Sequence, residues 1–196
     1  MPETDQSRFA DVLLFASNFV RHPRMLGSII PSSRFLIKQV LEPISWERAR
    51  VIVEYGPGVG NITAEILKHM RPDGHVVAIE TNRDFVQYLQ RALPDPRLQV
   101  VQGSAADVDA ILADRGLGAA SYIISGIPFS TMPDTLRTAI VRKSRAVLEP
   151  GGAFLVYQFS SRVLPDLQRT FEVVKRGFQP LNLLPAHLFV CATHLG

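Results

Sequence analysis

Between residues 50 and 160 the sequence changes its periodicity in a regular way. Short runs of β-branched and other apolar residues alternate with segments that place apolar residues at helical spacing. The five strand-like runs are RVIVEY (50–55), HVVAIE (75–80), RLQVVQ (97–102), SYIISG (121–126) and AFLVYQFS (153–160). This alternation predicts a parallel sheet with helices on both faces, and such sheets bind ligands at the carboxyl ends of their strands.

The segments on either side of this core are less regular. Residues 8–20 have the spacing of an amphipathic helix, and Pro31 or Ser33 would begin a second helix that ends before Pro43. After Ser160, PDLQRTF predicts a helix, FEVVKRGF a strand and HLFVCATH a closing strand. No internal repeat or low-complexity tract interrupts the chain.

Composition excludes several classes of protein. With 196 residues, 46% of them apolar, the chain can bury a full core, which argues against disorder. The single cysteine, Cys191, excludes an internal disulfide and a cysteine metal cluster. No run approaches the length of a spanning helix and no export signal is evident, so we expect a cytoplasmic location. The net charge of +3 permits an acidic partner surface without identifying one.

Three glycines follow the first predicted strand in VIVEYGPGVGN (51–61). A dinucleotide fingerprint, G-x-G-x-x-G, would need a third glycine at position 61, which is Asn61. The spacing of Gly56, Gly58 and Gly60, with Glu54 two residues ahead, instead resembles the turn of class I S-adenosylmethionine-dependent methyltransferases. Glycines without Cβ let the backbone lie close to such a cofactor. Glu54 could support the turn or the ammonium end of the cofactor.

Further cofactor contacts are expected after the next strands. Glu80 ends the second strand, where an acid accepts hydrogen bonds from both ribose hydroxyls. Ser104 and Ala105 follow the third strand and would lie against the adenine. Ser104 is equally suited to cap a helix, and the two roles are compatible. The same resemblance adds Thr81, Ser125 and Gly126 to the cofactor contacts, with S-adenosylhomocysteine as the product.

A closer resemblance comes from the combination of motifs along the chain. GSIIPSSRFL, VEYGPGVGNIT, VVAIETN, GSAADV, SGIPF and NLLPAHLFV resemble, in order and spacing, the small bacterial phospholipid N-methyltransferases. That family is similar to ribosomal adenine dimethyltransferases in its catalytic core. The resemblance implies an α/β, Rossmann-like class I methyltransferase fold, with a mostly parallel seven-stranded sheet between helices and an N-terminal amphipathic helix. It implies a membrane-contact helix and lid at residues 1–30 and a methyltransferase domain at residues 31–196.

The implied reaction is methylation of the amine of phosphatidylethanolamine, and of its mono- and dimethyl forms, toward phosphatidylcholine. Another aminolipid such as ornithine lipid, a small molecule or RNA adenine are alternative acceptors, and a noncatalytic cofactor-binding or lipid-binding protein is an alternative of another class. Base methyltransferases carry Asn or Asp, then an aromatic residue, after the fourth strand. Here SGIPF puts Ser125 and Phe129 at those places, which argues against a planar base and against a nucleic-acid partner.

The acceptor amine must lose a proton and, after later methylations, be held as a cation. We expect Ser125, Phe129 and Tyr157 at the catalytic position, because aromatic faces stabilise such cations by roughly 0.5–2 kcal/mol each. Ordinary core packing is the alternative for both aromatic residues. The proton acceptor stays open among Tyr157, Gln158, Tyr122, Ser125 and His187.

The remaining expectations concern the N-terminal part of the chain. The resemblance implies that Ser32 and Ser33 reach the carboxylate of the cofactor's methionine, although Pro31 and Ser33 also suit a helix start. The apolar face of helix 8–20 would enter an anionic membrane surface at the inner face of the membrane, or pack on the domain as a lid. The histidines lack metal-like spacing, so we expect no metal.

Overall fold

The computed structural model describes residues 33–181 and 185–192. The predicted helix at residues 8–20, the predicted lid at residues 1–30 and Ser32 lie outside these ranges. The helices are α1 (Arg34–Leu41), α2 (Asn61–His69), α3 (Arg83–Ala92), α4 (Val108–Asp114), α5 (Asp134–Val147) and α6 (Leu164–Thr170). The strands are β1 (Val51–Tyr55), β2 (His75–Glu80), β3 (Leu98–Gln102), β4 (Ala120–Ser125), β5 (Leu148–Gln158), β6 (Val173–Gln179) and β7 (Ala186–Ala192).

The seven strands form one sheet in the order β3-β2-β1-β4-β5-β7-β6. The pairs among β1 to β5 are parallel, whereas β7 runs antiparallel to both β5 and β6. The predicted fold class, a mostly parallel seven-stranded sheet between helices, is confirmed. Because the strand order reverses between β1 and β4, the crevice at the carboxyl ends of these strands is the expected place for a ligand.

The fifth strand begins earlier than its sequence indicated. The sequence placed this strand at 153–160, after Pro150, Gly151 and Gly152, but β5 already begins at Leu148, which pairs with Ala120 of β4. The register shifts before the next pair, Tyr122 with Ala153, and Gly151 has a φ of +80°. The glycines let the strand absorb this irregularity, which a turn signal in the sequence cannot distinguish from a loop.

Two hydrophobic clusters cover the two faces of the sheet. On one face, residues of α1 and α2 pack on side chains of β1, β4, β5 and β7, including Ile52 and Leu155. On the other face, α4, α5 and α6 pack on the alternate side chains of the strands, including Val53 and Phe154. The central strands β1, β2 and β4 are therefore buried on both sides, as in other parallel sheets, whereas the edge strands β3 and β6 are more exposed.

No helix in the described part of the chain is long and apolar enough to cross a membrane. Ser33 caps α1 by accepting a hydrogen bond from the N–H of Leu36 (3.2 Å), and its hydroxyl donates to the carbonyl of Leu181 (2.9 Å). The helix start that the sequence offered for Ser33 is therefore present, and its hydroxyl also connects α1 to the segment that follows β6.

A buried ion pair joins α5 to α6. Asp166 is 1% exposed and accepts hydrogen bonds from Arg137 Nε (2.6 Å), Arg169 Nη2 (2.7 Å) and Thr138 Oγ1 (2.9 Å). Burial alone would raise the pKa of the Asp166 carboxyl, but these donors outweigh it and hold the pKa below its usual range. Arg137 also binds Asp134 (3.0 Å), whose side chain is 77% exposed.

These two acids give a matched pair for a stability test. Asp166→Asn leaves the buried Arg137 without its anionic partner, so we expect the free energy of unfolding to fall by about 3–5 kcal/mol. Asp134→Asn removes an exposed partner of the same arginine and should cost less than about 1 kcal/mol. Urea unfolding of the two variants would measure the difference. Equal losses of unfolding free energy would contradict the conclusion that the buried Asp166 is the main partner of Arg137.

Candidate cofactor and acceptor site

The glycine-rich turn after β1 has a backbone that requires glycine. Gly56, Gly58 and Gly60 have φ values of +69°, +57° and +81°, in the left-handed region that side chains disfavour. Gly60 is the N-cap of α2 in this conformation. The spacing of the three glycines therefore reflects a turn that changes direction at every second residue.

Two of these glycines also make room for other parts of the protein. A Cβ on Gly56 would overlap the side chain of Ile127 from the loop after β4, and one on Gly60 would overlap Leu89 of α3. The sequence suggested that these glycines let a ligand lie close to the backbone. At these two positions, the atoms that lie close are side chains of the protein itself. The turn is fixed by packing before any ligand binds.

Glu80 at the end of β2 binds the backbone of the glycine-rich turn. Its carboxylate accepts hydrogen bonds from the N–H groups of Gly58 (3.3 Å) and Asn82 (2.9 Å) and from the hydroxyl of Thr81 (3.4 Å). Burial raises the pKa of Glu80, although these hydrogen bonds partly oppose it. A carboxylate has about four lone-pair sites, so these three contacts leave one for a ligand hydroxyl, and the long contact with the Thr81 hydroxyl can give way to a second.

Glu54 lies one layer deeper than Glu80. It is 2% exposed and accepts a hydrogen bond from the hydroxyl of Thr63 in the first turn of α2 (2.6 Å). Burial raises the pKa of Glu54 to about 7; the Thr63 hydrogen bond opposes this, and the charge of Glu80 adds to it. Of the two roles open to Glu54 from the sequence, the structure shows the one that supports the turn.

A cavity of about 210 Å³ opens between these elements at the carboxyl ends of the strands. Five of the predicted cofactor residues line it, namely Gly56, Glu80, Thr81, Ser104 and Ala105. The rest of its wall is formed by Ile79, Gly103, Ile127, Pro128, Met132, Leu136 and Ile140. The polar groups are thus collected on the β2 and β3 side, opposite an apolar wall from the loop after β4 and from α5. This arrangement suits a flat aromatic base joined to a polar sugar.

Ser104 combines the two roles that its sequence position allowed. Its Oγ accepts a hydrogen bond from the N–H of Ala106 (3.1 Å), which caps the short 3-10 helix Ala105–Asp107. The hydroxyl proton remains available to a ligand, because capping uses only an oxygen lone pair. Asp107, an acid three residues further along, is exposed and does not line the cavity.

Two of the predicted catalytic residues lie away from the cavity surface. Ser125 and Phe129 are both 0% exposed. Phe129 packs in the core with Ile140, because the 3-10 turn Phe129–Thr131 directs its ring inward. The Oγ of Ser125 has no hydrogen-bond partner in the described part of the chain. The expectation that these two side chains face the acceptor is therefore corrected by their burial.

Tyr157, the third predicted catalytic residue, lies against Gly126 at the carboxyl ends of β4 and β5. A Cβ on Gly126 would overlap the Tyr157 hydroxyl and ring. Gly126 donates its N–H to the carbonyl of Tyr55 (3.1 Å), and the next residue, Ile127, has its carbonyl bound by the amide of Gln158. The loop after β4 is therefore held in place from β1 and from β5.

Two tyrosines on neighbouring strands have purely structural surroundings. Tyr55 is fully buried, with its hydroxyl 3.1 Å from the hydroxyl of Ser144 and its ring edge-on to Phe154. Its ring therefore does not face the cavity. Tyr122 accepts a hydrogen bond from the N–H of Ser45 (3.0 Å), so its hydroxyl is engaged with the segment that precedes β1.

The residues of the apolar wall of the cavity were not predicted from the sequence. Leu136 and Ile140 are four residues apart on α5, so both lie on one helix face. That spacing is the same as the spacing of core residues, and only the folded chain shows that this face meets the cavity. Ile127 and Met132 lie in an irregular loop, where periodicity gives no signal. Among the described residues, no group of three or more His, Cys, Asp or Glu side chains could hold a metal ion.

The strand order, the glycine turn beside a buried acid and the acid at the end of β2 together define a class I S-adenosylmethionine-dependent methyltransferase. Known structures support the fold. Human methyltransferase-like protein 13 in complex with SAH superposes with a TM-score of 0.61 at 17% identity, over 89% of this chain and 82% of that chain.

The chain belongs to the ribosomal RNA adenine dimethylase family, whose sequence model matches residues 20–143. It is 34% identical to an ornithine lipid N-methyltransferase of Singulisphaera acidiphila, over 92% of this chain and 95% of that protein. It is 24% identical to ribosomal RNA small subunit methyltransferase A of Aromatoleum aromaticum, over 85% of this chain but only 62% of that enzyme. The expected relation to S-adenosylmethionine-dependent and ribosomal adenine methyltransferases is confirmed.

Removing the charge of Glu80 should weaken cofactor binding. In Glu80→Gln an amide replaces the charged acceptor that orders Gly58 and Asn82, and charge-assisted hydrogen bonds are worth about 1.5–3 kcal/mol. We expect the dissociation constant for S-adenosylhomocysteine to rise by roughly 10- to 100-fold in calorimetry. Glu47→Gln, at an exposed acid, is the control, and equal affinities of the two variants would contradict this role for Glu80.

The raised pKa of Glu54 predicts a pH dependence of stability. A folded-state pKa of about 7, above the ordinary value of 4.5, means that the folded protein holds a proton that the unfolded chain has lost between these values. The contribution of protonated Glu54 to the free energy of unfolding is fully present below pH 4.5. It is lost as the pH rises through 7, and the loss amounts to roughly 3 kcal/mol. Glu54→Gln stays neutral, so the unfolding free energy of wild type minus that of the variant should fall between pH 4 and pH 8. A constant difference in urea unfolding of the cofactor-free proteins would contradict the prediction.

Proposed function

We propose that this protein methylates the amine of a membrane aminolipid, acting on phosphatidylethanolamine and its mono- and dimethyl forms toward phosphatidylcholine. The similarity that extends along nearly the whole chain to a protein named as a lipid N-methyltransferase supports this proposal. That relative's name specifies ornithine lipid, so the amine of ornithine lipid is the second candidate acceptor. Both acceptors present a primary aliphatic amine at a lipid surface.

The residues of the cavity would hold the cofactor in a defined order. Glu80 would accept hydrogen bonds from the ribose hydroxyls, and Thr81, Ser104 and Ala105 would lie against the adenine opposite the apolar wall. The backbone of Gly56, Gly58, Gly60 and Gly126 would border the methionine part, and the enclosed Ser125 at the end of β4 would support it from behind. Ser32 is the remaining candidate for its carboxylate, because the Ser33 hydroxyl donates to the carbonyl of Leu181. When bound, the cofactor supplies an electrophilic methyl group on a sulfonium.

The protein's own contribution is to position an unprotonated amine in a site without bulk water. The amine nitrogen forms the new bond to the methyl carbon as the bond from that carbon to sulfur breaks, and one proton leaves the nitrogen. An alkylammonium has a pKa of about 10, so a nearby group must accept this proton. Tyr157 lies at the carboxyl ends of β4 and β5, and we propose that its ring and hydroxyl border the amine.

The surroundings of Ser125 and Phe129 limit what they can do in this proposal. Both are fully buried beneath the loop after β4, so they would support the acceptor site without forming its surface. The aromatic surface offered to a methylated ammonium would then come from Tyr157. This arrangement has Ser125 where base methyltransferases carry a side-chain amide or acid, which favours an aliphatic amine over the amino group of a base.

The proposed working place is the inner face of the cytoplasmic membrane. Residues 1–30 would contact anionic lipid through the apolar face of the helix expected at 8–20 and the nearby Arg8, Arg21 and Arg24. The same segment could cover the cofactor when docked.

A single assay tests the proposed function. Purified protein is incubated with labelled S-adenosylmethionine and with vesicles of phosphatidylglycerol containing phosphatidylethanolamine, ornithine lipid or phosphatidylcholine, and the products are identified by mass. We expect label in mono-, di- and trimethylated lipid from one or both aminolipids, and none from phosphatidylcholine. Vesicles in which phosphatidylcholine replaces phosphatidylglycerol should give lower rates if anionic lipid recruits the protein. Label in ribosomal RNA and in neither lipid would overturn the proposal.

A further inference from the structure

Arg162 lies in the loop between β5 and α6, directly beside the loop after β4. Its N–H donates to the Oγ of Ser160 (3.2 Å), and the next residue, Val163, is 1% exposed in the core. The guanidinium Nη1 donates to the carbonyl of Ser130 (3.3 Å). An exposed arginine is therefore held at three points: its own backbone, the residue that follows it and the end of its side chain.

The position of Ser130 connects this arginine to the cavity. Pro128 and Met132, two residues to either side of Ser130, both line the cavity. The guanidinium of Arg162 thus lies on the loop that forms the cavity wall, at the carboxyl ends of β4 and β5. Tyr157, the second-last residue of β5, lies at the same edge of the sheet.

The charge of Arg162 is not neutralised within the described part of the chain. Arg137 and Arg169 in the neighbouring helices pair with Asp166, whereas no carboxylate of residues 33–181 or 185–192 lies within ion-pair distance of Arg162. A guanidinium carries five N–H donors, and the contact with Ser130 uses one of them. The others can hold an anion in the two-pronged geometry that arginine gives to phosphates and carboxylates.

We infer that Arg162 binds the acidic group of a zwitterionic aminolipid headgroup and so positions its amine. This inference rests on the proposed function. In phosphatidylethanolamine the acidic group is a phosphate two carbons from the amine, and in ornithine lipid it is a carboxylate on the same amino acid as the amine. A fixed guanidinium recognises the shared feature, an anion a few bonds from an amine. Arg162 is then a specificity-determining residue that acts on the headgroup, while the cofactor site remains independent of it.

Two substitutions separate charge from the support of the loop. Arg162→Gln keeps an N–H donor on a side chain two bonds shorter but carries no charge, and Arg162→Lys keeps the charge but loses the planar fork. Arg142→Gln is the matched control, because Arg142 is an exposed arginine on the face of α5 opposite Ile140. Initial rates are measured with vesicles of either aminolipid at varied surface concentration, together with the affinity for S-adenosylhomocysteine.

We expect Arg162→Gln to raise the lipid concentration at half-maximal rate by about 10-fold or more, with unchanged affinity for S-adenosylhomocysteine. Arg162→Lys should fall between this variant and wild type, and Arg142→Gln should match wild type. An effect with phosphatidylethanolamine alone would identify phosphate as the ligand, and an effect with ornithine lipid alone would identify carboxylate.

Other outcomes separate failure of this inference from failure of the proposed function. If wild type methylates a lipid and Arg162→Gln matches Arg142→Gln, the role of Arg162 is refuted while the proposed function stands. If Arg162→Gln and Arg162→Lys lose cofactor affinity equally, the arginine only supports the loop, which also refutes the inference. If wild type methylates neither lipid, the proposed function fails, and the assignment of Arg162 fails with it.

Discussion

The hydrogen bonds between the carboxylate of Glu80 and the backbone of the glycine turn connect the parts of this site. Glu80 ends β2 and Gly58 follows β1, so one buried side chain fixes the carboxyl ends of two neighbouring strands. Glu54 repeats the arrangement one layer below, where it binds Thr63 in the first turn of α2. The burial of two carboxylates is unfavourable by itself, as their raised pKa values indicate, and is tolerated because each accepts hydrogen bonds. Glu80 and Glu54 therefore form a fixed polar layer beneath the cavity.

The acceptor side of the site depends on a different set of contacts. The loop after β4 is held by the N–H of Gly126 on the carbonyl of Tyr55, by the Gln158 amide on Ile127 and by the Arg162 guanidinium on Ser130. Each contact is made to backbone, so the path of the loop is defined without any side chain of the loop having to point toward the ligand. Ile127 then packs over Gly56, which links the acceptor loop directly to the glycine turn. A displacement of Ile127 itself would therefore reach the glycine turn.

Local patterns predicted much of this architecture. The alternation of strand and helix gave the layers and the parallel core, since burial on both faces of a strand imposes a continuous apolar run. Gly56, Gly58 and Gly60 could be placed because left-handed backbone selects glycine wherever it occurs. Glu80, Thr81, Ser104 and Ala105 were placed because residues that follow strands of a parallel sheet meet at one edge. In contrast, Phe129 was assigned to the acceptor surface and lies in the core, since its exposure depends on a single 3-10 turn.

The sequence by itself determined the order of elements, the position of the turn and the edge of the sheet at which ligands bind, because these follow from backbone conformation and from the two periodicities of secondary structure. Only the tertiary structure decided which side chains face the cavity. Ser125 and Tyr157 occupy comparable places at the ends of adjacent strands, yet one is enclosed and the other lies against Gly126. The side of a strand to which a residue points follows from sequence, but what covers that side is set by distant helices such as α5. For that reason Leu136 and Ile140, and the anchored Arg162, became visible as parts of the site only in the folded chain.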